Sequence, residues 1–156
     1  INNLKREDLL IKIPILLKIS PDLEADNLKY LCEKVLSSKI DGLIISNTTI
    51  SRDLISTDTL EKGGLSGKPI FDISTKQLRM AYKYTNGKIP LIGVGGVDSA
   101  EKAYQKIKNG ASLIQLYTGL VYNGPNLIKD INEDLSSLIE RDGYSNISEA
   151  VGAEVN

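Results

Sequence analysis

The sequence predicts an α/β fold: the C-terminal half of a (β/α)8 TIM barrel, strands five to eight with the helices that follow them. Three observations carry this. Four continuous apolar runs alternate with four amphipathic patterns, as in a parallel sheet buried on both faces. Every apolar run ends in polar or glycine-rich residues, on the face where barrel sites assemble. The last two ends, Gly93-Val-Gly-Gly-Val97 and Gln115-Leu-Tyr-Thr118, offer adjacent loops of glycines and backbone N–H groups, the means by which barrels hold a phosphate after their final strands.

The first strand is expected over Ile13-Pro-Ile-Leu-Leu-Lys-Ile19 and the first helix over Ala25 to Ser38. In that helix Leu28, Leu31, Cys32, Val35 and Leu36 recur at i, i+3, i+4, i+7 and i+8, so the single cysteine falls on the buried stripe and reads as a core residue rather than a nucleophile. Gly42-Leu-Ile-Ile-Ser46 is the second strand. The polar segment Asn47 to Gly67 has no periodicity, and a loop of that length reads as a binding loop or lid. A helix over Ile70 to Tyr84 and a strand over Pro90 to Val94 follow. The next helix, Ser99 to Asn109, is capped by Asp98 or Ser99, with Glu101 placed to complete a box with Asp98, and Lys106 and Lys108 fall in its last turn. A strand over Leu113 to Leu116 leads to a helix over Asn126 to Glu140, whose Leu127, Ile128, Ile131, Leu135, Leu138 and Ile139 share one face.

Length and composition bound the rest. The 156 residues suffice for one ordinary domain, whereas a complete barrel takes about 250. The chain opens on Ile1 rather than Met, so residues 1–156 are expected to be one partial barrel domain whose N-terminal half lies elsewhere. The 19 Lys and Arg nearly balance the 20 Asp and Glu, which gives no sign of a nucleic-acid surface. No run approaches the roughly 18 apolar residues of a membrane span, and no signal-peptide pattern opens the chain. One cysteine and no histidine exclude a disulfide framework, His-based triads and common zinc sites; no metal site is expected.

Taken together, Lys18-Ile-Ser-Pro-Asp22, Ile45-Ser-Asn-Thr-Thr49, Gly63-Gly-Leu-Ser-Gly-Lys-Pro69 and Gln115-Leu-Tyr-Thr118 resemble, in order and at the right separations, the C-terminal half of the dihydroorotate dehydrogenases. These are the FMN enzymes of pyrimidine synthesis, and the resemblance is to their class 2, quinone-reducing branch. It runs from about Ile13 to Gly152. It implies oxidation of (S)-dihydroorotate to orotate, with FMN as cofactor and quinone as electron acceptor. Lys18 would lie beside the flavin pyrimidine edge, where a fixed cation favours the negative charge of the reduced ring. Ser46 would touch FMN, and Asn47 and Thr48 would hydrogen-bond dihydroorotate. Gly67 would let backbone approach the cofactor. Gly96, Tyr117 and Thr118 would cradle the FMN phosphate, with Gly95 permitting the turn; a side chain at Gly96 is expected to intrude on the phosphate. Tyr117, Leu120, Val121 and Pro125 would line the quinone approach.

The resemblance places no catalytic residue in this chain. The class 2 base is a serine on an earlier loop, and Ser20 and Ser66 read as turn and loop residues. Tyr82, Tyr84 and Tyr104 read as helix packing. Peripheral association with a bacterial or mitochondrial inner membrane, through an N-terminal helical pair outside this chain, is also implied. Two other readings of the residues stay open: another phosphate-binding barrel enzyme, and an inactive half-barrel fragment.

Overall fold

Strands β1 (Leu16–Ile19), β2 (Gly42–Ile45), β3 (Leu91–Val94) and β4 (Leu113–Gln115) pair edge to edge in chain order, every pair parallel. The computed structural model describes residues 13–55 and 62–155; part of the long loop, 56–61, lies outside the described residues. Lys18 stands beside Ile44, Ile44 beside Ile92 and Ile92 beside Leu113 across the sheet. Helices α1 (Ala25–Leu36), α2 (Phe71–Thr85), α3 (Ala100–Lys108), α4 (Thr118–Asn123), α5 (Leu127–Arg141) and α6 (Ile147–Ala150) complete the fold, with a 3-10 turn at Lys68–Ile70 leading into α2.

The period-2 alternation of the strands sorts their side chains. Ile19, Leu43, Ile45 and Leu91 pack with Leu28, Cys32 and Val35 of α1 and Leu78 and Ala81 of α2 in one apolar cluster. A second cluster joins Phe71, Val97 and Ala103 to Leu127 and Ile131 of α5. Burial, with a contribution from Glu33, pushes the Cys32 thiol up to about 11, so it stays protonated at neutral pH and acts as the core residue its spacing indicates. The opposite sheet face carries Leu16, Lys18, Ile44, Ile92 and Leu113. At the two edges that face is open: Leu16 is 37% and Leu113 62% exposed.

The expected helices and strands stand within a few residues of their places, and the short helices α4 and α6 have no counterpart in the sequence reading. The first strand starts at Leu16 rather than Ile13; before it, the Ile15 N–H donates to the Asp41 carboxylate (2.6 Å) and the Asp41 N–H to Ile15 O (2.8 Å), which ties the chain to the start of β2. The cap of α3 is Ser99, whose hydroxyl accepts from the Lys102 N–H (3.4 Å). Asp98 does not form a box with Glu101, because its carboxylate is taken by Lys68 (3.1 Å) and Lys102 (2.9 Å). Lys106 falls in the last turn as expected, but it is completely buried.

Candidate functional site

All nine residues singled out from the sequence, Lys18, Ser46, Asn47, Thr48, Gly67, Gly95, Gly96, Tyr117 and Thr118, line one cleft of about 120 Å³ at the C-terminal ends of the strands. Parallel strands in register bring them there: each loop leaves the sheet on the same side. A larger cavity of about 650 Å³ adjoins it across Ser66, Gly67, Gly96 and Thr118 and extends to Lys68, Asp98, Tyr122 and Asn123.

Lys18 projects from β1 with an exposed ammonium that has no acceptor among the described residues. The next loop is held from below. The Ser46 N–H donates to Val94 O (3.1 Å) and the Asn47 N–H to Ile19 O (2.8 Å), so β2 hands its last residues to both neighbouring strands. The Ile45–Ser46 peptide is cis. Ser46 is buried and spends its hydroxyl on Asn47 O (2.9 Å), whereas the side chains of Asn47 and Thr48 are exposed to the cleft.

Asp22 fastens this loop, a role that the sequence reading missed. Its carboxylate accepts from the Thr49 hydroxyl and from the Ile50 N–H (3.1 Å). Burial opposes ionisation, but the hydrogen bonds from Thr49, Ile50 and Ser20 outweigh it and hold the carboxyl below its ordinary value. An antiparallel bridge between Thr49 and Leu65 then folds the long loop back on itself. Gln77 of α2 donates to Pro21 O (3.0 Å) and Leu23 O (2.6 Å), bracing the turn that carries Asp22.

The turn after β3 is built on glycine. Gly95 and Gly96 have φ of 107° and 73°, in the region that L side chains rarely occupy. A Cβ at Gly96 would meet Phe71 Cβ at 2.5 Å and Phe71 Cα at 2.7 Å. What a side chain there strikes first is therefore protein, the start of α2. At Gly67 a Cβ would meet Thr118 Cγ2 at 3.1 Å, so that glycine allows the long loop to approach α4, and the Thr118 hydroxyl donates to Ser66 Oγ (2.9 Å). Among the described residues, the N–H groups of Gly96 and Thr118 have no protein acceptor.

Lys68 and Asp98 were not singled out from the sequence. They line the larger cavity beside Gly96, and Lys68 brings a cation to a turn that has none of its own. Burial resists the Asp98 charge, but hydrogen bonds from Lys102 and Lys68 hold its carboxyl below the ordinary value. On α4, Val121 and Tyr122 are exposed, as are the Tyr117 ring and Pro125. Leu120 turns instead into the cluster with Phe71 and Val97. Ser20 forms a turn with Asp22, as expected, and Tyr104 is packed, its hydroxyl donating to Asp142 (3.0 Å).

Comparison with known proteins agrees with this architecture. The family model described as "Dihydroorotate dehydrogenase" matches residues 2–139. The chain is 54% identical over 144 residues to the mitochondrial dihydroorotate dehydrogenase (quinone) of Arabidopsis thaliana, covering 90% of this chain and 31% of that protein. It is 50% identical over 147 residues to the dihydroorotate dehydrogenase (quinone) of Parvibaculum lavamentivorans, covering 93% and 42%. Among solved structures, DHODH from Eimeria tenella in complex with ferulenol superposes with a TM-score of 0.87 at 34% identity, over 92% of this chain and 39% of that one. The chain thus spans less than half the length of these relatives.

Proposed function

The chain belongs to the dihydroorotate dehydrogenase family, and we propose that it supplies strands five to eight of an intact barrel that oxidises (S)-dihydroorotate to orotate, with FMN as cofactor and a quinone as final acceptor, in pyrimidine synthesis. The observation that carries this reading is the convergence of one unpaired ammonium, one exposed amide and a glycine turn with uncommitted N–H groups in a single cleft. That donor set fits FMN: a cation for an electron-rich ring edge, and oriented backbone donors for a phosphate. The open apolar sheet face, and two sheet edges that have no partner strand among the described residues, support a second half-barrel completing the core.

FMN, when bound, supplies the hydride acceptor and passes electrons on to quinone. This chain's residues bind and orient. Lys18 would hold the ring's electron-rich edge and favour negative charge on it. Asn47 can donate and accept at once, which suits a planar substrate ring carrying both kinds of group, and Thr48 adds a hydroxyl beside it. The N–H groups of Gly96 and Thr118 receive the phosphate, with Gly95 setting the turn and Gly67 bringing the long loop against Thr118. Ser46, which lines the same cleft, would touch the FMN.

The proton acceptor is proposed to come from outside this chain. Ser20 is engaged with Asp22, the Ser66 hydroxyl accepts from Thr118, and Ser46 donates to its neighbour's carbonyl. Tyr117, Val121 and Pro125 give the quinone an apolar approach. Association with an inner membrane, bacterial or mitochondrial, is proposed through a segment outside this chain; among the described residues no helix is long and apolar enough to cross one.

Purification of the intact barrel tests the reading. It should carry FMN, and Asn47→Ala should keep the flavin while losing reduction by dihydroorotate. A mutant with normal substrate kinetics and lost flavin would reverse the assignment of Asn47.

A further inference from the structure

Lys106 of α3 is completely buried, yet among the described residues it has no carboxylate within hydrogen-bond reach. Its ammonium donates to Ser74 Oγ (2.8 Å) and Thr75 Oγ1 (3.1 Å) of α2 and lies 5.0 Å from the centre of the Phe71 ring. Burial lowers its pKa to about 7 against a weak opposing effect of Asp72. A side chain held only for packing would do better without the charge, because apolar replacements of buried ionic groups are commonly neutral or stabilising. The hydroxyls beside it do not need the amine either. Ser74 and Thr75 both donate to Phe71 O, at 3.0 and 2.7 Å.

The contact that distinguishes the two hydroxyls leads to the glycine turn. The single Ser74 hydroxyl proton has Gly95 O (3.3 Å) as its alternative acceptor to Phe71 O, and the turn lies so close that a Cβ on Gly95 would come within 2.9 Å of the same oxygen. The Gly95–Gly96 peptide is trans, so its carbonyl and N–H point in opposite directions. A carbonyl drawn toward α2 sends the Gly96 N–H away from α2, to the side where Gly96 lines the cleft. An N–H donating to a hydroxyl, from the amine or the ammonium, also strengthens that hydroxyl as a donor to the next acceptor.

We infer that Lys106 is a positioning residue for the phosphate-binding turn: acting through the Ser74 hydroxyl, it fixes the Gly95 carbonyl toward α2 and so aims the Gly96 N–H into the cleft. The inference rests on the phosphate reading of that cleft. Riboflavin, which is FMN without the phosphate, separates this role from general support of the fold.

The experiment titrates FMN and riboflavin into the flavin-free intact barrel and follows thermal unfolding in parallel. Lys106→Met should lower the preference for FMN over riboflavin by about tenfold, the scale of one lost polar contact, with riboflavin affinity kept and no fall in thermal midpoint at neutral pH. Ser74→Ala should do the same. Thr75→Val also strips one partner from Lys106 but leaves the path to Gly95 intact, so it should keep the preference. Equal loss of both affinities in Lys106→Met, or equal effects of Ser74→Ala and Thr75→Val, would overturn the inference while leaving the flavin reading in place. If Lys106→Met does not fold, the Ser74 and Thr75 pair decides. A wild-type protein with no preference for FMN would overturn the phosphate reading itself, and the inference with it.

Discussion

Substituting Gly96 with alanine puts the glycine turn under the most direct load. The added Cβ would lie 2.5 Å from Phe71 Cβ, 2.7 Å from its Cα and 2.9 Å from its N, and two of those three atoms are backbone at the start of a 15-residue helix. Neither partner can rotate away, so the turn or the helix must shift. Forcing that much extra volume into packed surroundings costs about 1–3 kcal/mol. The positive φ adds about 1–2 kcal/mol for a residue with a side chain, for a total of roughly 2–5 kcal/mol. Gly143 isolates the second contribution: its φ is 81°, and a Cβ there meets nothing within 4 Å. It closes α5 with Gly143 N–H to Glu140 O and Tyr144 N–H to Ile139 O, so Gly143→Ala should lose only about 1 kcal/mol. Urea unfolding of the two variants in the intact barrel, with FMN titration of each, is the assay. Gly96→Ala should be markedly the less stable and should lose FMN, while Gly143→Ala keeps it. Equal stability of the two, with wild-type FMN affinity in both, would refute the argument that this turn is packed onto α2 to present its N–H groups.

Three further outcomes are expected. In its unfolded state Lys106 titrates near 10.5 and in the folded state near 7, so between those values the unfolded chain binds more protons and stability rises with pH; wild type should gain on the order of 4 kcal/mol over Lys106→Met across that interval, and parallel urea-midpoint profiles for the two proteins would contradict it. Lys18→Ala in the intact barrel should slow flavin reduction by the equivalent of roughly 1.5–3 kcal/mol, with no change in thermal midpoint because its ammonium has no partner to lose; unchanged stopped-flow rates would make Lys18 merely structural. Asp22→Ala releases the Thr49 and Ile50 anchors of the Asn47 loop, so KM for dihydroorotate should rise about tenfold with FMN still bound; an unchanged KM would show that the loop holds its shape without that carboxylate.

The strands and long helices were legible because continuous apolar runs and 3.6-residue periodicity report burial directly. The cleft was legible because barrel topology sends every strand end to one face, so glycine and polar clusters at strand ends could be pooled before their distances were known. What escaped has physical reasons. Thr118–Asn123 is a helix of six residues whose Val121 and Tyr122 face outward, so it has no polar face to set against an apolar one. Asp22 acts across 27 residues on Thr49, a contact no local pattern encodes. Lys106 read as a charge placed to suit a helix terminus, yet it lies three residues from Ala103, on the buried side of α3, above Gly93 and opposite Ser74. That spacing was the available signal. The close approach of Gly96 to Phe71 is likewise a contact across the fold that no local pattern encodes.

Anaerobic titration of the flavin by dihydroorotate tests the central claim most directly. With this chain joined to the first half of the barrel, the visible flavin absorbance should bleach on adding dihydroorotate and return on adding quinone, while the 156-residue chain alone, supplied with FMN, should show neither change. Bleaching by the isolated chain at the rate of the intact barrel, or an intact barrel that holds no flavin, would contradict the account.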